Sequence, residues 1–210
     1  MDEPVNKNNK TVAAIILAAG GSTRMGQPKL LLEWHSEPLI RWVARLALHT
    51  GCAPVVVVTG ANADDVRRAL AGLPLTFIHN PDWQKGQSGS VKTGVSMLPA
   101  DIDAALVYLG DQPHIPPSVP LELLRTYLQE EPSESILIPT YQGNRANPVL
   151  LDKQIFEPLR TLSGDAGART IFSHYPVKLI PFDEADLVLD IDSPEDYQRL
   201  LEKPAPHFED

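Results

Sequence analysis

Five unbroken apolar runs constrain this 210-residue chain more than any other feature. They are TVAAIIL (residues 11–17), APVVVVTG (53–60), LTFIHN (75–80), AALVYLG (104–110) and SILIPT (135–140), each bounded by Gly, Pro, Asn or Asp. A strand with one face in water alternates apolar and polar residues. A continuous apolar strand is one covered on both faces, which is the condition of a parallel sheet between layers of helices. The stretches between the runs carry helical spacing instead. PLIRWVARLALHTG (38–51) sets Leu39, Trp42, Val43, Leu46 and Ala47 on one face and ends at Gly51, a C-capping glycine. NADDVRRALAG (62–72) opens on Asn62 as N-cap, with acids in its first turn and arginines later, the sense of the helix dipole. PPSVPLELLRTYLQEE (116–131) and SPEDYQRLLEK (193–203) look similar. In the second, Ser193 is the N-cap, Pro194 the first helical residue, and Glu195 and Asp196 complement the dipole. This alternation predicts a single three-layer α/β domain over residues 11–202, with a mostly parallel sheet and helices on both faces. The polar segments 1–10 and 203–210 are expected to be mobile tails.

A net charge of −9 argues against a protein that coats nucleic acid, so any phosphate it binds must meet a local positive site. The single cysteine, Cys52, precludes an intrachain disulfide and a thiolate zinc site, as in a reducing compartment, and reads as a small buried hydrophobe. MDEPVNKNNK has no apolar core of a secretion signal, and VAAIILAAGG is about half the length a membrane helix needs. A cytoplasmic protein with neither membrane nor nucleic acid as partner is expected.

Open α/β sheets bind ligands at the carboxyl ends of their strands, so the residues after each run carry the chemistry. The first run leads into LAAGGSTRMGQPK (17–29). Gly20, Gly21 and Gly26 let the backbone turn sharply and aim its amides at an anion, and Arg24 and Lys29 add positive charge. This is no P-loop, because Gln27 and Pro28 follow Gly26, and no G-x-G-x-x-G fingerprint is present. A glycine turn with two solvated bases is the alternative. After the fourth run, GDQP places Asp111 where it can hold Mg²⁺ against phosphate, or simply form an Asx-turn. In LVLDIDSPEDY, Asp190 and Asp192 fall on one side of an extended segment and are further metal candidates. QKGQSGSVKTG, behind NPDW, reads as a glycine loop entering a helix. Ser88 and Ser90 either cap that helix or, with Gln87, hydrogen-bond a base or ribose. GNRANPVLL and SGDAGART each bring one arginine, Arg145 and Arg169, apt for an anionic substrate or merely solvated. His79, His114 and His174 show no metal-binding spacing and read as structural or solvated.

In order, LAAGGSTRMGQPKLLL, GQSGSVKTG, GDQP, NPVLL, GDAGAR and DIDSPEDY resemble the nucleotidyltransferases of molybdenum cofactor synthesis, especially the molybdopterin cytidylyltransferases. The six motifs cover nearly the whole body of the chain. The resemblance implies a Rossmann-like nucleotide-diphosphosugar transferase fold. It implies Mg²⁺-dependent transfer of CMP from CTP to the terminal phosphate of molybdopterin, with release of pyrophosphate. Nucleotide contacts would come from Leu17, Ala18, Ala19, Gly20, Gly21 and Ser22, with Arg24 and Lys29 on the triphosphate and Gln87, Ser88 and Ser90 around base and ribose. Asp111 matches the metal-binding aspartate and Asp190 and Asp192 the distal acidic pair, while Arg145, Asn147, Asp165 and Arg169 fall on the acceptor side. Ala19 looks like the cytidylyl branch, since the guanylyl branch tends to carry another glycine there. Where the family usually reads Gly-His-Pro, this chain has Ala146, Asn147 and Pro148, a departure that bears on the acceptor more than on the chemistry. A molybdoenzyme or its chaperone is the implied partner. A guanylyltransferase, a transferase acting on a sugar phosphate, and a non-catalytic nucleotide- or cofactor-binding chaperone remain alternatives. The acceptor phosphate, with a second pKa near 6, is ionised at neutral pH, so no general base is required.

Overall fold

The computed structural model describes residues 10–22, 26–129, 134–161 and 171–208. Its strands are β1 (Val12–Ala18), the short β2 (Glu33–Trp34) and β3 (Glu37–Pro38), β4 (Val55–Thr59), β5 (Thr76–His79), β6 (Ala104–Leu109), β7 (Ile136–Tyr141), β8 (Asn144–Arg145), β9 (Val149–Asp152) and β10 (Val177–Pro181). The α-helices among the described residues are α1 (Leu39–His49), α2 (Ala63–Ala69), α3 (Gln87–Ser96), α4 (Ser118–Gln129), α5 (Phe156–Thr161) and α6 (Pro194–Leu201). All five apolar runs are strands of one sheet, ordered β10-β7-β9-β6-β1-β4-β5, with β8 paired onto β7; β2 and β3 form a separate hairpin. β1 pairs in parallel with β4 and β6, as β4 does with β5 and β7 with β10. β9 is antiparallel to both β6 and β7. Its apolar run, VLL between Pro148 and Asp152, is too short to mark it as a strand in the sequence.

The unbroken hydrophobicity of the central strands follows from their position between two cores. From β1, Ala14, Ile16 and Ala18 pack with residues of α1, α2 and α4, while Ala13 and Ile15 pack on the opposite face with residues of α3 and α5. Every residue of β4 is buried. The face of α1 picked out by helical spacing is the buried one, and Gly51 follows that helix with φ +73°. Asn62 stands at the N-cap of α2 but makes no side-chain capping bond. Ser88 and Ser90 lie inside α3, whose N-cap is Gly86, so neither serine caps it.

A third, smaller cluster of Trp34, Leu39, Trp42, Ile191 and Leu200 docks α6 onto α1 and the β2–β3 hairpin. Ser193 and Asp196 form a reciprocal capping box at the start of α6, and the Asp196 carboxylate also accepts from the Asp192 amide at 3.2 Å. The burial of Ile191 and this cap together fix the backbone on both sides of Asp192. In the expected tail, Phe208 stacks on Trp42 with ring centroids 6.2 Å apart.

Candidate active site

β1 and β6 lie side by side and parallel, so the turns that leave them open on the same edge of the sheet. The Gly110 amide donates to Leu17 O at 3.0 Å, setting the GDQP turn beside the glycine loop. On the other flank, Ala61 N donates to Ala19 O at 3.2 Å. Trp83 closes over this junction: a Cβ at Gly21 would meet its ring at 2.9 Å. The result is a cleft of about 320 Å³ at the carboxyl ends of the central strands.

Lys29 is the charged centre of the cleft. Its side chain is 10% exposed, and its Nζ lies 2.7 Å from Asp111 Oδ2 and 3.1 Å from Asp192 Oδ1. Its backbone amide donates to Ser22 Oγ at 2.9 Å, tying the ammonium's anchor point to the glycine loop. Burial lowers the pKa of this amine, but Asp111 and then Asp192 more than offset that, leaving it above its ordinary value. Lys29 therefore stays charged across the neutral range, a local positive site in an acidic protein.

Leu17, Ala19, Gly20, Ser22, Lys29, Gln87, Ser90, Asp111 and Asp192 line this cleft. Ala18 is in the core behind it, Gly21 lies under Trp83, and Ser88 is not among the lining residues. Ser90 Oγ accepts from Asn80 Nδ2 at 3.1 Å, holding α3 to the end of β5. Asp190 parts company with Asp192: its Oδ1 accepts from Gln112 Nε2 at 3.1 Å. Arg145 and Asn147 line a second groove of about 560 Å³, which shares Leu17, Gln87 and Leu109 with the first. Arg24, Asp165 and Arg169 lie outside the described residues. Sequence reasoning missed Trp83, Leu30 and Leu109 as lining residues; the one available signal was the NPDW turn directly after the third apolar run.

His114, the next residue but two after Asp111, is structural as expected. It is buried, and its Nε2 donates to the Asp186 carbonyl at 3.0 Å. Burial lowers its pKa, against the opposing pull of Asp186. Cys52 is buried too, its thiol pushed up to about 11 by desolvation. Among the described residues no three His, Cys, Asp or Glu side chains gather as a metal cluster. A divalent ion would rest on Asp111 and Asp192, two hard oxygen donors that converge on one cation already; magnesium commonly takes only one or two protein carboxylates and completes its shell with water and phosphate. No helix among the described residues is long and apolar enough to cross a membrane.

Residues 14–179 match the family model of the MobA-like NTP transferase domain. The chain belongs to that family. As a MobA-like NTP transferase it falls among the nucleotidyltransferases, and its sheet is the nucleotide-diphosphosugar transferase fold that the motifs implied. A molybdenum cofactor cytidylyltransferase of Escherichia coli (strain K12) is 27% identical over 196 residues, covering 91% of this chain and 96% of its own. A nicotine blue oxidoreductase of Paenarthrobacter nicotinovorans is 32% identical over 197 residues, 90% of this chain and 96% of its own. The crystal structure of Rv0371C from Mycobacterium tuberculosis H37Rv, a complex with manganese, shares the fold at a TM-score of 0.77 and 22% identity, covering 93% of this chain and all of that one.

Proposed function

We propose that this MobA-like NTP transferase moves CMP from CTP to the terminal phosphate of molybdopterin and releases pyrophosphate. The observation that carries the reading is the Lys29 ammonium held between Asp111 and Asp192 at the mouth of a glycine loop, a charge arrangement suited to a metal-bound triphosphate. The acceptor phosphate oxygen attacks the α-phosphorus of CTP, one phosphorus–oxygen bond forms, and the bond to the β-phosphate bridging oxygen breaks with its electrons leaving on pyrophosphate. Asp111 and Asp192 would hold Mg²⁺, which when bound supplies charge neutralisation at the triphosphate. The loop amides and Lys29 orient the phosphates and stabilise the charge that gathers on the leaving group. Gln87 and Ser90, which line the cleft, would contact base and ribose, and the adjoining groove with Arg145 and Asn147 would take the acceptor. The attacking phosphate is already ionised, so the chemistry asks for positioning and electrostatics, not for a base.

The name of the Escherichia coli relative and Ala19 in the first motif support CTP and a pterin acceptor. The reading rests on the Lys29 cluster more than on likeness, because a relative of equal coverage carries an oxidoreductase name. The setting is the cytoplasm, in keeping with a single buried thiol, with the product passing to a molybdoenzyme or its chaperone. A thermal-shift panel of CTP, GTP, ATP and UTP with Mg²⁺ tests it. The favoured nucleotide at about 100 times its Kd stabilises by about 2.7 kcal/mol. CTP is expected to give the largest shift; a GTP preference moves the base, and silence from all four overturns the reading. Pyrophosphate release with molybdopterin is expected to fall on the order of 10²-fold or more in Asp111→Ala, about 2.7 kcal/mol of transition-state stabilisation.

A further inference from the structure

Lys29 and a divalent cation make claims on the same oxygens. The Lys29 ammonium lies 2.7 Å from Asp111 Oδ2 and donates to Asp192 Oδ1 at 3.1 Å, the carboxylates that the proposed function gives to the metal. The backbone of Lys29 has little freedom to take the side chain elsewhere. It opens a 3₁₀ turn over Lys29–Leu31, its amide is bound to Ser22 Oγ, and the next residue, Leu30, is buried in the main core. A cation arriving at the two carboxylates therefore confronts the ammonium across a few ångströms in a partly desolvated site, where like charges repel strongly. Lys29 lines the same cleft as Ala19, Gly20 and Ser22 of the glycine loop. A bare metal ion displaces the ammonium and leaves it without a counter-charge. A triphosphate along the glycine loop supplies that counter-charge.

We propose that Lys29 couples the two ligands of this site: it cedes Asp111 and Asp192 to the metal only as it transfers its ammonium to the triphosphate, so that metal and nucleotide bind cooperatively. The inference rests on the reading of the cleft as a metal–triphosphate site. By linkage, nucleotide must tighten the metal by the same factor as metal tightens nucleotide. Lys29 thereby disfavours a carboxylate pair loaded with metal alone.

The test is the affinity of the purified full chain for Mn²⁺ alone, read by electron paramagnetic resonance of the free ion, with no turnover involved. Lys29→Met keeps the bulk of the side chain and removes its charge. The variant is expected to bind Mn²⁺ alone at least about tenfold more tightly than the wild type, while CTP binding in EDTA becomes weaker. Lys29→Arg, which keeps the charge, is expected to stay near the wild type in Mn²⁺ binding. Mn²⁺ affinity that is unchanged or weaker in Lys29→Met overturns the coupling, and Lys29→Gln serves the same comparison if the Met variant does not fold. Asp111→Asn and Asp192→Asn separate the two levels of the argument. If they leave Mn²⁺ binding intact, the metal site itself is refuted; if they abolish it and Lys29→Met does not tighten it, only the coupling fails.

Discussion

Gly60→Ala is the perturbation whose cost the structure fixes most directly. An alanine Cβ at this position would stand 2.4 Å from Ala19 O, 2.9 Å from Ala19 Cα and 2.8 Å from Trp83 Cβ. The first contact is about 1 Å short of ordinary van der Waals separation. Two of the three opposing atoms are backbone, so no rotamer change relieves it. β4 must retreat from the glycine loop, and the Ala61 N to Ala19 O hydrogen bond at 3.2 Å is stretched as it does. Overpacking of this kind costs about 1–3 kcal/mol, and a lost hydrogen bond adds about 1 kcal/mol. At about 2–4 °C per kcal/mol for a chain of this size, a sum of about 2–4 kcal/mol lowers Tm by about 5–15 °C in a calorimetric melt. Gly20→Ala supplies the contrast, since nothing lies within 4 Å of its added Cβ. That variant should melt within about 2 °C of the wild type but raise KM for the nucleotide, because the methyl enters the cleft. A Gly60→Ala protein that melts like the wild type, or a Gly20→Ala protein that loses as much stability, would refute the argument.

Two further expectations concern the turn after β6. Gln112→Glu sets a second carboxylate against Asp190, and the added Asp190→Asn restores the hydrogen bond with donor and acceptor exchanged; the double variant should recover most of the urea midpoint lost by the single one, and no recovery would mean that the 3.1 Å contact contributes nothing. His114, whose pKa burial lowers below its ordinary value near 6.5, makes the folded state bind fewer protons than the unfolded one. Its contribution is fully present above about pH 6.5 and is lost as pH falls through the folded pKa. Urea midpoints at pH 7.5 and 5.5 should therefore separate more widely for the wild type than for His114→Gln, and equal separations would count against a buried, neutral His114.

The order of elements along the chain was legible because burial on both faces leaves a mark in composition: VVVV in β4 could be little else. Neither the antiparallel direction of β9 nor its insertion between β6 and β7 was, since strand order is decided by which edges the folded chain leaves open. At the site, Lys29 and Asp111 were visible as a base in a glycine loop and an acid at a strand end. Their meeting within 2.7 Å depends on β1 and β6 being neighbours, which no local pattern records. Asp190 and Asp192 looked equivalent by spacing. They differ because the turn 111–113 also presents Gln112, a partner 78 residues away that claims the first of them. Trp83 escaped notice for a related reason: its use is to cover glycines at positions 21 and 60, distant in the chain from it and from each other.

The reversed direction of β9 has a consequence for how such a protein diversifies. Because β9 runs against β6 and β7, the chain returns at the ligand edge through residues 142–148 and needs no helix to carry it back across the sheet. That excursion forms one wall of the second groove, with Arg145 and Asn147 on it. The cleft with Lys29, Asp111 and the glycine loop is built on the parallel strands β1, β4 and β6. The excursion can lengthen, shorten or change its side chains without redrawing a single crossover in that half. On the proposed function, the fold thus separates the part that activates a nucleotide from the part that chooses what receives it, and a lineage can revise the second while inheriting the first intact.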